Sequence, residues 1–239
     1  MIKKIKKFSS RAIQHLRLKK IQDEYLSWLT LANAGMLSPG NVYSIHYAIN
    51  NIPSDKPILE IGSFCGLSTN VISYLLSSSG NKNKIFTCDK WVFEGAENGG
   101  RLGESSVSHK DYREFVKSTY IKNIEFFSKE NKPYTIEVFS DDFFNLWNKK
   151  EETVDILGRS VNLGGLFSFC YVDGNHTYEF AKRDFENIDL NLEVGGFILF
   201  DDSFDSNQFG LTKLMKEVKQ KKNYKLVIKN PNYMFQKIA

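Results

Sequence analysis

Cysteine, proline and histidine are scarce, with 3, 5 and 4 copies respectively in 239 residues. Cys65, Cys88 and Cys170 lie in or beside apolar runs and share no CxxC spacing. That excludes a disulfide framework and a thiolate metal site, and suits buried thiols in a reducing cytoplasm. No run of about 18 apolar residues occurs, and the N-terminus lacks the apolar core and small-residue cleavage site of a signal peptide. A soluble, cytoplasmic protein is expected. No composition break, internal repeat or low-complexity tract divides the chain. Its 41% hydrophobic and 14% aromatic content can bury one substantial core.

Acidic residues are missing from one stretch only. Residues 1–20, MIKKIKKFSSRAIQHLRLKK, hold eight of the 32 Lys and Arg and no Asp or Glu. The remainder has 24 basic residues against 28 acidic ones, so the formal charge of +4 is a local feature. An acidic body offers no long basic groove, and nucleic-acid binding is not expected. Ile2, Ile5, Phe8, Ala12, Ile13 and Leu16 recur at helical spacing. The segment reads either as a first helix with one face on the body or as an amphipathic basic helix on an anionic membrane or acidic partner. Peripheral membrane contact and homo-oligomer formation are both left open.

Beyond this segment, short β-rich apolar runs alternate with helical patterns, which predicts an α/β fold with a mostly parallel sheet covered on both faces. The predicted strands are 56–62, 84–89, 134–140, 167–173 and 195–202, and the predicted helices 66–79, 110–128, 141–150, 177–192 and 208–221. Residues 21–50 read as helical with a break at LSPGN, where Pro39 and Gly40 interrupt the pattern. Two last strands, YKLVIK (224–229) and YMFQKI (233–238), are joined only by Asn230, Pro231 and Asn232. A parallel crossover needs about a dozen residues, so this pair must be an antiparallel hairpin. The sum is seven strands with the last reversed, the layout of the Rossmann-like class I methyltransferases. Residues 1–50 form an N-terminal helical extension in this reading. Residues 51–239 form the catalytic domain, with a glycine-containing, lid-like insertion at 91–109.

The first glycine-rich turn reads EIGSFCGLSTN from Glu60. A dinucleotide fingerprint would have glycine where this chain has Phe64. Glu60-x-Gly62-x-x-x-Gly66 instead resembles motif I of S-adenosylmethionine-dependent methyltransferases. Asp89, closing the second strand, is placed to take both ribose hydroxyls. Asp141 and Asp142, after the third strand, either line the adenine or cap the following helix. Glu60, Gly62, Ser63, Gly66, Asp89, Asp141, Asp142 and Asp173 are the candidate cofactor residues.

YVDGNHTYE ends the fourth strand and LFDDS the fifth. In open α/β sheets ligands bind outside the carboxyl ends of the strands, where Asp173, His176, Asp201 and Asp202 would converge. Carboxylates so gathered repel one another unless a cation or proton compensates, and oxygen ligands suit a hard ion such as Mg²⁺. The alternative is a turn at Asp173 and Gly174, a helix capped by Thr177 and a solvated Asp pair.

Over residues 56–203, DGNHTYE followed by GGFILFDDS is similar to the metal-dependent sugar O-methyltransferases related to macrocin O-methyltransferase. The resemblance implies Asp173, Asp201 and Asp202 as metal ligands and His176 as general base. Many relatives have Asp where this chain has Asn175, and an amide takes no proton at neutral pH, which favours His176. The implied activity is Mg²⁺-assisted methylation of a hydroxyl on a sugar or polyhydroxylated metabolite, in surface-polysaccharide or natural-product biosynthesis. A catechol-type enzyme acting on an aromatic diol, or a non-catalytic cofactor-binding scaffold protein, are the competing readings.

Overall fold

The computed structural model describes residues 18–239 other than 94–95, 97–98 and 206–209. Most of the basic N-terminal segment, residues 1–17, therefore lies outside the described residues, as does part of the expected lid. Among the described residues no helix is long and apolar enough to cross a membrane.

Two helices open the described chain, α1 (Glu24–Ala32) and α2 (Pro39–Ile49). Pro39 does more than interrupt a helical pattern. It sits at the start of α2, where a missing N–H costs nothing, and Ser38 caps that helix by accepting from the Asn41 N–H. The order then runs β1 (Ile58–Ile61), α3 (Leu67–Ser79), β2 (Ile85–Cys88), α4 (His109–Phe127), β3 (Tyr134–Ile136), α5 (Ser140–Asn148), β4 (Glu152–Val154), β5 (Ser160–Asn162), β6 (Phe167–Val172), α6 (Tyr178–Asn191), β7 (Leu192–Phe200), α7 (Leu211–Gln220), β8 (Tyr224–Lys229) and β9 (Tyr233–Lys237).

Seven strands form one sheet in the order β3-β2-β1-β6-β7-β9-β8. The neighbours from β3 to β7 pair in parallel, and β9 runs antiparallel to both β7 and β8. The short connector thus reverses one strand, the last, and the expected seven-stranded fold is the observed one. β3 is shorter than its apolar run because the chain bends at Val138 and Ser140 already begins α5. The β4–β5 ribbon is an addition the sequence reading lacks.

Each sheet face buries its own apolar cluster. One holds Trp147, Phe167, Phe185, Phe200 and Leu214, from the α5, α6 and α7 side. The other joins Leu29 and Ile45 of α1 and α2 to Val71, Phe169 and Phe197. The described part of the N-terminal extension is therefore built into the main core. A third cluster, Cys65, Trp91, Val116, Tyr120 and Ile124, lies under the turn after β1. All three cysteines are free and buried.

Candidate active site

The turn after β1 is held in shape by the end of β2. Asp89 Oδ2 accepts the N–H groups of Ser63 at 2.8 Å and Phe64 at 3.0 Å, and Oδ1 accepts that of Trp91 at 2.6 Å. The Trp91 indole N–H returns to the Phe64 carbonyl at 3.0 Å. Asp89 was expected to take both ribose hydroxyls. Three backbone N–H groups use its carboxylate, so it clamps this turn, and with about four lone-pair sites it keeps capacity for a ribose hydroxyl. Burial raises its pKa against the effect of those three donors.

Phe64 and Trp91 both have left-handed backbone, with φ of 44° and 50°. Non-glycine residues pay for such conformations only where the surroundings impose them, commonly at functional sites. Gly62 (φ +81°) shows why this turn needs glycine, since a β-carbon there would stand 2.1 Å from the Asp173 carbonyl oxygen.

Glu60 and Ser63 are buried beneath the turn. Thr69 donates to Glu60 Oε2, but Glu60 Oε1 and Ser63 Oγ have no hydrogen-bond partner among the described residues. Burial pushes the Glu60 carboxyl up to about 7, opposed by Ser68 and Thr69 and reinforced by the charge of Asp89. The Ser63 hydroxyl also opposes the shift of the Glu60 carboxyl, so the two groups face one another, and by strict hydrogen-bond geometry both keep capacity for a ligand. Asp141 and Asp142 lie in the first turn of α5, whose N-cap is Phe139. Neither is the cap: Asp141 pairs with Arg183 of α6 at 3.2 Å, and Asp142 is exposed.

The end of β6 supplies the acidic cluster. His176 Nε2 lies 3.3 Å from Asp173 Oδ1, and its Nδ1 lies 3.5 Å from Asp202 Oδ2. Asn175 builds the turn between them, its side-chain oxygen accepting the Thr177 N–H at 2.9 Å. Burial disfavours the charged imidazole, but Asp173, Asp202 and Asp201 outweigh it and raise the His176 pKa. Asp173 is driven well above the carboxylate range by burial and then by the charge of Asp201, with His176 acting in the opposite sense. Asp202, with a left-handed φ of 47°, is raised for the same two reasons.

Asp201 behaves differently. Its Oδ1 accepts the Asn41 amide at 2.7 Å, the Asn232 amide at 2.6 Å and the Asp202 N–H at 2.8 Å, while Oδ2 accepts the Tyr171 hydroxyl at 2.7 Å. This network ties α2, β6 and the β8–β9 connector to the sheet's carboxyl end. Sequence reasoning missed Asn41, Tyr171 and Asn232, because nothing in their local pattern marks a partner 160, 30 or 31 residues away.

Of the three carboxylates expected to hold magnesium, Asp201 is already engaged by these contacts. Asp201 spends its lone pairs on protein donors, and the described residues contain no group of three or more His, Cys, Asp or Glu arranged for a metal. Asp173 and Asp202 do fit a more open site, since magnesium keeps several waters and is commonly held by one or two carboxylates. Their crowding beside Asp201 is the repulsion that a divalent ion would relieve.

Comparison with known proteins agrees with the fold. The chain is similar to the O-methyltransferase from Bacillus cereus in complex with SAH, with 14% identity over 92% of each chain and a TM-score of 0.58. It is also similar to the O-methyltransferase NovP, at 15% identity over 87% of this chain and 84% of that one, with a TM-score of 0.59. TomG from Streptomyces achromogenes, an O-methyltransferase of tomaymycin synthesis in complex with SAM, gives 13% identity over 95% of each chain and 0.56. No curated protein sequence matches significantly. A family model described as a methyltransferase domain matches residues 59–203, more than half of the chain and all of the site from Glu60 to Asp202, and the chain belongs to that methyltransferase family.

Proposed function

We propose that this methyltransferase uses S-adenosylmethionine to methylate a hydroxyl of a sugar or another polyhydroxylated metabolite. The observation that carries the reading is one mouth shared by two half-sites. The Glu60–Ser63 turn, with its orphaned acceptor and hydroxyl, abuts the Asp173 carbonyl, and Asp173 begins the cluster that holds His176. Glu60 and Ser63 would take the polar, cationic end of the cofactor, with Asp89 holding their turn rigid.

In the transfer, the hydroxyl oxygen forms the new O–C bond as the C–S bond breaks, and the hydroxyl proton must go to a base. His176 is the base in this reading. With both ring nitrogens facing carboxylates the imidazolium is favoured, and an imidazolium accepts nothing. An acceptor hydroxyl entering between His176 and Asp202 replaces the longer contact, of 3.5 Å; without that carboxylate beside it the imidazolium releases its Nδ1 proton to solvent, and the neutral Nδ1 then receives the hydroxyl proton. Asp173 meanwhile orients the ring through Nε2. A divalent cation bound at Asp173 and Asp202 would supply alignment and acidification of neighbouring hydroxyls.

The test is calorimetry with S-adenosylmethionine and NAD, followed by a methyl-transfer screen over sugars, sugar nucleotides and catechols. Cofactor binding without NAD binding, and turnover on a polyol, are expected. His176→Ala should keep cofactor affinity and lose about 10²- to 10⁴-fold in rate. Wild-type turnover by that variant, with chemistry rate-limiting, would remove His176 from the mechanism.

A further inference from the structure

Beside the acidic cluster lies a cavity of opposite character. Its volume is about 180 Å³, and Lys216, Lys219 and Lys229 line it with Thr212, Asp205 and Tyr233. Its place follows from the sheet register. Tyr233 pairs with Phe200, the residue before Asp201, and Ser203, the residue after Asp202, is part of the wall. The cavity therefore opens at the same carboxyl end of the sheet, one residue beyond the cluster.

The lysines are gathered, not scattered. Lys219 and Lys229 both stand over the Tyr233 ring, at 4.4 and 4.8 Å from its centroid, and Lys219 Nζ donates to the Tyr233 hydroxyl at 3.1 Å. Asp205 accepts from Lys229 and from the same hydroxyl, and these two donors hold its carboxyl below the usual range. Among the described residues lining the cavity, one carboxylate thus faces three ammonium groups. Three lysines against one carboxylate leave the lining net positive, which favours an entering anion. At about 30 Å³ per water the space is roughly that of six waters, enough for one or two phosphoryl groups.

We propose that this cavity binds a phosphate or diphosphate carried by the methyl acceptor, with Lys216, Lys219 and Lys229 as its ligands and Thr212 as an added hydroxyl donor. The proposal rests on the methyltransferase reading above and narrows its substrate class to phosphorylated sugars or sugar nucleotides. Charge-assisted bonds to phosphate would fix the distance from the anion to the hydroxyl presented at His176.

Inorganic pyrophosphate, titrated calorimetrically into the full chain, tests the cavity without any turnover. Binding that Lys216→Glu/Lys219→Glu abolishes, while S-adenosylmethionine affinity is unchanged, is expected; absence of binding to the wild-type chain, or retention by the variant, overturns the site. A sugar and its diphosphate-linked form, compared as acceptors, then test its role. The phosphorylated form should have a KM lower by about tenfold or more, a difference lost in Lys216→Ala/Lys219→Ala. Pyrophosphate should compete with the acceptor and not with the cofactor. Binding without such competition would make this a free-polyanion site and end the acceptor assignment. If the cofactor binds but neither acceptor is methylated, the methyltransferase substrate reading fails, while the pyrophosphate titration still decides the anion site.

Discussion

Gly62 and Asp173 touch backbone to backbone, so closely that a β-carbon on Gly62 would lie 2.1 Å from the Asp173 carbonyl oxygen. The turn expected to hold the cofactor and the strand end expected to do chemistry are thus in direct contact. Gly62→Ala should destabilise the protein by about 2–4 kcal/mol, through a disfavoured φ and a clash with immovable backbone. Urea unfolding checks this. A variant as stable as the parent would show that the two segments can separate.

Glu60 links cofactor binding to pH. Its carboxyl is raised to about 7 by burial, so below that pH the free protein keeps the proton. A cationic ligand beside it prefers the carboxylate, and affinity should rise by up to about tenfold per pH unit towards 7 and level off above it. Calorimetry with S-adenosylmethionine from pH 5.5 to 8.5 measures the slope. Glu60→Gln should bind more weakly and without that slope; an equally steep slope in the variant would place the titrating group elsewhere.

Asp184 predicts a pH dependence of stability that is independent of the cofactor. This acid of α6 is 3% exposed, and burial pushes it up to about 6, with Ser140 opposing. The unfolded chain ionises it first, so stability is fully present below about pH 3.8 and falls as pH rises through 6. The loss is about 2–3 kcal/mol at about 1.4 kcal/mol per unit. Asp184→Asn should remove this part of the decline, seen as a higher midpoint of urea unfolding than the parent at pH 7 and a smaller difference at pH 4. Parallel curves at both pH values would contradict the assignment.

Asp89→Ala separates two roles for one carboxylate. A ribose ligand alone could be lost with little effect on folding. The structure instead has it accepting from Ser63, Phe64 and Trp91, so its removal strands three N–H groups and should cost about 2–4 kcal/mol. Thermal unfolding without cofactor is the measurement. An unchanged melting temperature would overturn the clamping role.

Much of the architecture was legible because it rests on periodicity and reach. Apolar runs such as ILEI and FSFCYV become fully buried strands, and three residues between the last two strands leave no path but a hairpin. The β4–β5 ribbon escaped because three-residue strands with exposed positions have no period to read. The break expected at LSPGN is the gap between α1 and α2, and Ser38 makes Pro39 the start of the second helix. At the site, the run from Asp173 to His176 signalled a polar cluster, and Asp173, His176 and Asp202 do meet.

Local pattern and connector length were enough for the strand–helix order of the main sheet, its reversed last strand and the gathering of acids at its carboxyl end. Only the tertiary structure decided how each carboxylate is used. Asp201 and Asp202 are neighbours of identical chemistry. One turns to Asn41, Asn232 and Tyr171, from three distant parts of the chain, and the other turns to His176. Lone-pair direction is set by the donors that folding brings within 3 Å, and no spacing along the chain encodes it.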